Sequence, residues 1–322
     1  LLMGNFFTSL FSGNSESAEE TKAKEDKKNF DIFKYDGIRA QKMGQVAYAI
    51  KCFQEALKLQ SDFETKNYLA AAYIAMNQLE EASLIYDQMV SEEPDHLPVW
   101  ISRANLAYMM ERYEAVIEGS THVIEADDVN ANAFYLRAKA HQGLNDLINA
   151  LADLTRTIAL KDDFMEAYLS RAEVLLAMRQ EAEALEDVEK ALVLSPEEEG
   201  AYLLRGSIHE SMGDTEAARE DYQYVLDLNP FNEDAYLKQG KLLISENKLA
   251  EAVAFFTEAI ELKPDFAKAY AERGRAFNLQ GKSTEALEDL KQAINLDPQG
   301  EEAKKLEGQH ANFDSLYKGG IF

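Results

Sequence analysis

The large apolar and small residues of this chain return in the same order every 34 residues. Trp100, Phe134, Tyr168, Tyr202, Tyr236 and Tyr270 each stand 34 residues from the next. Pro196, Pro230, Pro264 and Pro298 keep the same step in another phase, and Pro94 lies three periods before Pro196. Self-similarity at this period belongs to stacked supersecondary units. With each aromatic numbered as the fourth residue of its unit, units begin at 30, 63, 97, 131, 165, 199, 233 and 267, and the last ends near 300. The first is one residue short.

Inside a unit the pattern predicts two helices and a tight turn. Position 8 is always small: Gly37, Ala70, Ala104, Ala138, Ala172, Gly206, Gly240 and Gly274. Position 20 is alanine in every unit but the third, which has Val116. Small residues on both helices let them approach closely. Between them, position 15 carries Gly44, Asn77, Asn145, Gly213, Asn247 and Gly281, the residue types that most readily take the left-handed conformation ending a helix. Proline at position 32 cannot continue the second helix and separates one unit from the next, with Asp128 and Asp162 replacing it at two joints.

An aromatic at 4, small residues at 8 and 20 and proline at 32 on a 34-residue period resemble the tetratricopeptide repeat, over residues 30 to 300. The resemblance implies an all-α, right-handed α-solenoid of eight tandem helix-turn-helix repeats, its first helices lining a concave face and its second helices a convex one. No sheet is expected. Before the array, residues 1–29 read as a flexible segment with an apolar patch (Phe6, Phe7, Leu10, Phe11); after it, 301–322 read as a capping helix over Glu301 to Leu306 and a tail.

Position 7, on the inward arc of the first helix, is arginine in five repeats: Arg103, Arg137, Arg171, Arg205 and Arg273. A charge there needs a partner. Position 23 supplies Asp153, Asp187, Asp221 and Asp289 in four of those repeats, which predicts bridges between the two helices of a repeat. Arg103 faces Gly119 instead, so it pairs elsewhere or meets a ligand.

Positions 2, 5, 9 and 12 form a stripe of the first helix beside the packed positions. By resemblance this stripe lines the groove. Position 5 gives Ile101, Tyr135, Leu169, Leu203 and Leu237; position 12 adds Ile74, Tyr108, Leu176 and Ile244; position 9 supplies Asn105, Lys139, Ser207, Lys241 and Arg275. An apolar floor with polar contacts suits an extended peptide or an amphipathic helix of another protein. The competing reading packs position 5 against the next repeat. Some relatives clamp a peptide carboxylate with Lys at 5 and Asn at 9; Lys34, the only lysine at 5, has Ile38 at 9, so that clamp is not expected.

Composition narrows the partner. A net charge of -25 argues against nucleic acid, whose binding needs clustered Lys and Arg. The single cysteine, Cys52, allows no internal disulfide and reads as a small buried hydrophobe. Five scattered histidines (His96, His122, His141, His209, His310) show no metal-ligand spacing, and no phosphate loop or nucleophile motif occurs. The expectation is a cytoplasmic adaptor or scaffold without enzymatic activity, metal or cofactor, and without a membrane span. Self-association through the apolar stripe is the alternative.

Overall fold

The computed structural model describes residues 18–300 and Lys304. Residues 1–17, with the apolar patch, and all of the expected C-terminal cap and tail except Lys304 lie outside the described residues. The helix pairs are α1 (Ala18–Lys42) and α2 (Val46–Leu59), α3 (Phe63–Ala75) and α4 (Leu79–Glu92), α5 (Leu97–Met109) and α6 (Tyr113–Ala126), and α7 (Ala131–Gly143) and α8 (Leu147–Leu160). There follow α9 (Met165–Ala177) and α10 (Glu181–Leu194), α11 (Glu199–Met212) and α12 (Thr215–Leu228), α13 (Glu233–Ser245) and α14 (Leu249–Leu262), and α15 (Ala267–Leu279) and α16 (Ser283–Leu296). No strand occurs among the described residues.

From α3 on, every first helix begins at the first residue of its 34-residue unit. The first repeat departs from expectation, because α1 is already helical at Ala18 and takes up much of the expected linker. Its Ala, Glu and Lys are good helix formers, and neither Gly nor Pro interrupts them before Gly37.

Packing divides the chain between Lys161 and Asp162 into two compact units of four helix pairs each. In the first, α2, α4 and α6 each pack between the first helices of adjacent repeats; α10, α12 and α14 do so in the second. First helices also touch each other, α1 with α3 and α5 with α7, then α9 with α11 and α13 with α15. They form the closer-spaced layer of each unit.

The turn between paired helices is the same in all eight repeats. The residue at position 15 has positive φ everywhere, including Glu111 (55°) and Arg179 (61°), which sequence reasoning did not mark. The next amide always donates to the carbonyl at position 11, as in Arg112 to Ala107 (2.8 Å) and Lys248 to Leu243 (2.9 Å). With the bond from position 15 to 12, such as Asn77 to Ile74 (2.9 Å), this is the Schellman ending.

Close approach at position 8 has a specific cause: the side chain at position 24, sixteen residues on, fills the space between the helices. A Cβ at Gly37, Gly206 or Gly240 would collide with the rings of Phe53, Tyr222 and Phe256. All three rings are fully buried. Where position 8 is alanine, position 24 is smaller in Ser120, Leu154 and Val188, and only Tyr86 keeps a ring opposite alanine.

The four expected bridges form inside their repeats. Arg137 meets Asp153 with two bonds of 2.8 Å, Arg171 meets Asp187 with two of 2.7 Å, and Arg273 meets Asp289 with two of 2.8 Å. Arg205 reaches Asp221 at 2.6 Å. The hydrogen bonds to these buried aspartates hold each guanidinium above its ordinary pKa, outweighing the lowering effect of burial. Each arginine also lies over the ring three residues before it, from 5.1 Å for Arg205 on Tyr202 to 5.9 Å for Arg171 on Tyr168. Arg103 pairs across the repeat boundary, its Nε donating to Asp87 at 2.6 Å.

Three stability measurements test this packing, each by urea denaturation of the full chain. Gly240→Ala should cost about 1–3 kcal/mol by overpacking, and adding Phe256→Leu should recover most of it, since repeat four already sets Ala138 beside Leu154. Asp153→Ala should cost about 3 kcal/mol by stranding Arg137, whereas replacing both residues with leucine should change stability by less than about 1 kcal/mol. Glu111→Gly should stabilise by about 0.5–1 kcal/mol, relieving a left-handed backbone that glycine adopts freely.

Candidate peptide-binding grooves

The first-helix layer of each unit carries the residues expected to line a groove, and their environments differ. In the first unit Ile101, Tyr108, Tyr135 and Lys139 are half-buried and Asn105 is exposed. The Asn105 side-chain amide donates to the Ile101 carbonyl (2.9 Å), which uses one of its donors within the helix. The Tyr108 ring lies 5.9 Å from that of Tyr113 in the same repeat, so part of its surface serves packing. Lys34 is structural: its Nζ donates to Asp62 (2.9 Å) and Glu64 (2.6 Å) at the start of the next repeat. Burial alone would lower this amine's pKa, but the two carboxylates hold it above its ordinary value.

In the second unit Leu169, Leu176, Leu203 and Ser207 are half-buried, and Lys241 and Arg275 are exposed. Leu237 and Ile244 are buried in the apolar cluster built around Phe256, Phe266 and Ala269. Burial there withdraws Ile244 and most of Leu237 from the surface of the stripe. Leu237 still forms part of the wall of a cleft of about 640 Å³ lined by the first helices of repeats six to eight together with Ala293, Asp297, Gly300 and Lys304.

Around that cleft stand Lys238, Lys241 and Lys268, with Glu210, Asp234 and Glu272. Lys238 donates to Ser207 Oγ (2.8 Å), and Lys241 and Arg275 approach Glu272 at 3.3 and 3.5 Å. Glu210 is held by Tyr222, whose ring fills the space under Gly206 and whose hydroxyl donates to Glu210 Oε1 at 2.6 Å. Burial first, and then the bond to Glu210, pushes the Tyr222 phenol well above its ordinary pKa. Sequence reasoning missed Lys238, Lys268 and Glu272. Lys238 and Glu272 sit at position 6, beside the stripe, where only the neighbouring helix turns them into a wall; Lys268 sits at position 2, on the stripe, but was not named.

Charge is divided between the layers. Acids outnumber bases in α4, α6, α10, α12, α14 and α16, all second helices. The second helices α2 and α8 do not share this excess; among the first helices α3 and α13 balance, α5, α7 and α15 carry more bases than acids, and α9 and α11 each carry one acid more than bases. The acidity of the whole chain therefore does not describe the face that would meet a peptide.

Among the described residues no group of three or more His, Cys, Asp or Glu side chains is placed to hold a metal. Of the described histidines, His122 stacks on Trp100 with ring centres 4.2 Å apart, and His96 lies 4.6 Å from the Phe63 ring. Cys52 is free and buried. No described helix is long and apolar enough to cross a membrane.

Sequence models of the tetratricopeptide repeat match residues 203–265 and 267–299. No curated protein matches the chain significantly. Among solved structures, a tetratricopeptide-repeat protein from Parabacteroides merdae is 17% identical, with 76% of this chain and 96% of that one covered and a TM-score of 0.64. MamA from Desulfovibrio magneticus is 15% identical over 53% of this chain and 97% of that one, with a TM-score of 0.50. YrrB, a repeat protein with an unusual peptide-binding site, is 25% identical over 60% of this chain and 99% of that one, but superposes loosely, with a TM-score of 0.42. Eight units in one 34-residue register, family matches across the sixth to eighth of them and the helix-pair fold make the chain a member of the tetratricopeptide-repeat family, whose repeats generally mediate protein–protein interaction.

Proposed function

We propose that the chain is an adaptor that holds a peptide segment of another protein against its first-helix layer, with the cleft of repeats six to eight as the principal site. The observation that carries this reading is the cleft itself, where an apolar wall at Leu237 is bordered by Lys238, Lys241 and Lys268. Such a combination fixes a ligand through apolar contact and orients it through a few polar groups. Its lysines, within a first-helix layer that is close to neutral, favour a segment carrying a carboxylate.

The test is a peptide-display selection against the full chain, followed by affinity measurements on Lys241→Glu/Lys268→Glu. These lysines are exposed, so the substitutions leave the core intact. Selected peptides should carry acidic residues beside an apolar anchor and lose at least about tenfold in affinity, corresponding to about 1.4 kcal/mol or more. Peptides that bind the variant equally well refute the cleft as the site. Sedimentation of both proteins separates the alternative: wild-type oligomers that the variant cannot form assign this surface to self-association.

A further inference from the structure

The first unit has a second surface, on the edge where paired helices turn. Position 14, immediately before the left-handed residue, is Met43, Met76, Met110 and Leu144 in its four repeats. Because the turn has the same hydrogen bonds each time, these side chains leave equivalent points of the backbone. In repeat three Met110 is half-buried and packs on the core, and the exposed side chain there is that of its neighbour Met109, so the row runs through Met43, Met76, Met109 and Leu144. Ile148, Met43, Met109, Met76 and Leu144 are 75, 66, 56, 45 and 42% exposed. Single exposed apolar residues are ordinary on any surface, but a contiguous set marks an interaction site. In the second unit position 14 is methionine at Met178 and Met212 but polar at Glu246 and Gln280, so the turn itself does not demand an apolar residue there.

Charge beside the row identifies the occupant. Glu81, Glu111 and Glu114 follow the methionines and are exposed. The bases nearby are few: Arg112 is paired with Glu80 at 2.6 Å, and Lys42 lies at the first-repeat end. Spacing points to a helix. Packed helices lie about 8–10 Å apart, and seven residues of an α-helix rise about 10.5 Å. A helix with an apolar residue at every seventh position therefore keeps step with the row, and four repeats accommodate about 20 residues of it. Methionine's flexible thioether adapts to varied apolar side chains.

We infer that the turn edge of the first unit, built on Met43, Met76, Met109 and Leu144 and flanked by Glu81 and Glu111, docks a basic amphipathic helix of a partner protein. This surface shares no residue with the cleft proposed above and stands or falls separately.

The test uses the full chain with 13C-labelled methionine methyl groups. The probe is a synthetic helix of about 20 residues, with leucine at every seventh position and lysines beside the leucines. A permuted peptide of the same composition and a version with glutamate for lysine serve as controls. The Met43, Met76 and Met109 methyl signals should move with the lysine peptide alone, and its affinity should fall as salt rises. Met76→Gln/Met109→Gln and, separately, Glu81→Lys/Glu111→Lys should each weaken binding at least tenfold; all four side chains are exposed, and circular dichroism checks the fold. Absence of binding, equal binding of the permuted peptide, or unchanged affinity in both variants overturns the inference. Methyl shifts that depend on protein concentration without peptide assign the edge to a second copy. Shifts caused by Phe6→Ala/Phe7→Ala/Phe11→Ala assign it to the chain's own N-terminal residues. Either result also overturns the basic-helix reading.

Discussion

A step of sixteen residues governs how the two helices of each repeat meet. Position 8 lies against position 24, so the residue on one side must be small when the other carries a ring. Gly37 with Phe53, Gly206 with Tyr222 and Gly240 with Phe256 are the extreme cases, in which one helix presents bare backbone to an aromatic side chain. Position 7 faces position 23 by the same step, which is why Arg137 and Asp153 meet within reach of two hydrogen bonds. The step also runs backwards across the repeat boundary: Arg137 donates to Thr121 (3.1 Å), Arg273 to Thr257 (3.0 Å) and Arg103 to Asp87. One register thus fixes the core contact, the ion pair and the link to the preceding repeat.

The arginines explain themselves without a ligand. A buried guanidinium is tolerated only when its donors are satisfied. Here the carboxylate takes two donors, the aromatic ring at position 4 covers one face, and the preceding repeat meets others. That ring is fixed in turn: Trp100 Nε1 donates to the Pro94 carbonyl (2.8 Å) and the Tyr202 hydroxyl to that of Pro196 (3.0 Å). Proline's carbonyl therefore ties the start of each of these repeats to the turn before it. Repeat three shows what happens when the aspartate is missing, for Arg103 donates to Asp87 of the neighbouring repeat and stands 3.5 Å from Glu118 of its own.

Much of this was legible in the sequence because a repeat reports each position eight times. Helix starts and the Arg–Asp pairs followed from register alone. What escaped were features that a single repeat carries against its own residue type. Glu111 and Arg179 adopt the left-handed conformation because bonds on either side of the turn impose it, although neither residue prefers it. Asp87 went unnoticed as the partner of Arg103 because pairs were sought inside a repeat. Leu237 and Ile244 share a stripe with half-buried residues, yet the cluster around Phe256 closes over them, and helical phase alone carries no information about a neighbouring layer. Of the cleft lysines, Lys241 was named from its position and Lys238, at the neighbouring position 6, escaped for the same reason.

Separation of charge between helix layers reconciles an acidic chain with a groove that can receive a carboxylate. Packed helices stand about 8–10 Å apart, and at physiological ionic strength charges are screened over about 8 Å. An exposed acid on a second helix is thus felt weakly at the first-helix face, where acids and bases are nearly balanced. The edge between the layers lies closer to the acids at the helix turns, including Glu81 and Glu111. Opposite preferences can then coexist in one chain, because at this ionic strength each face is described by the charges within one helix diameter of it.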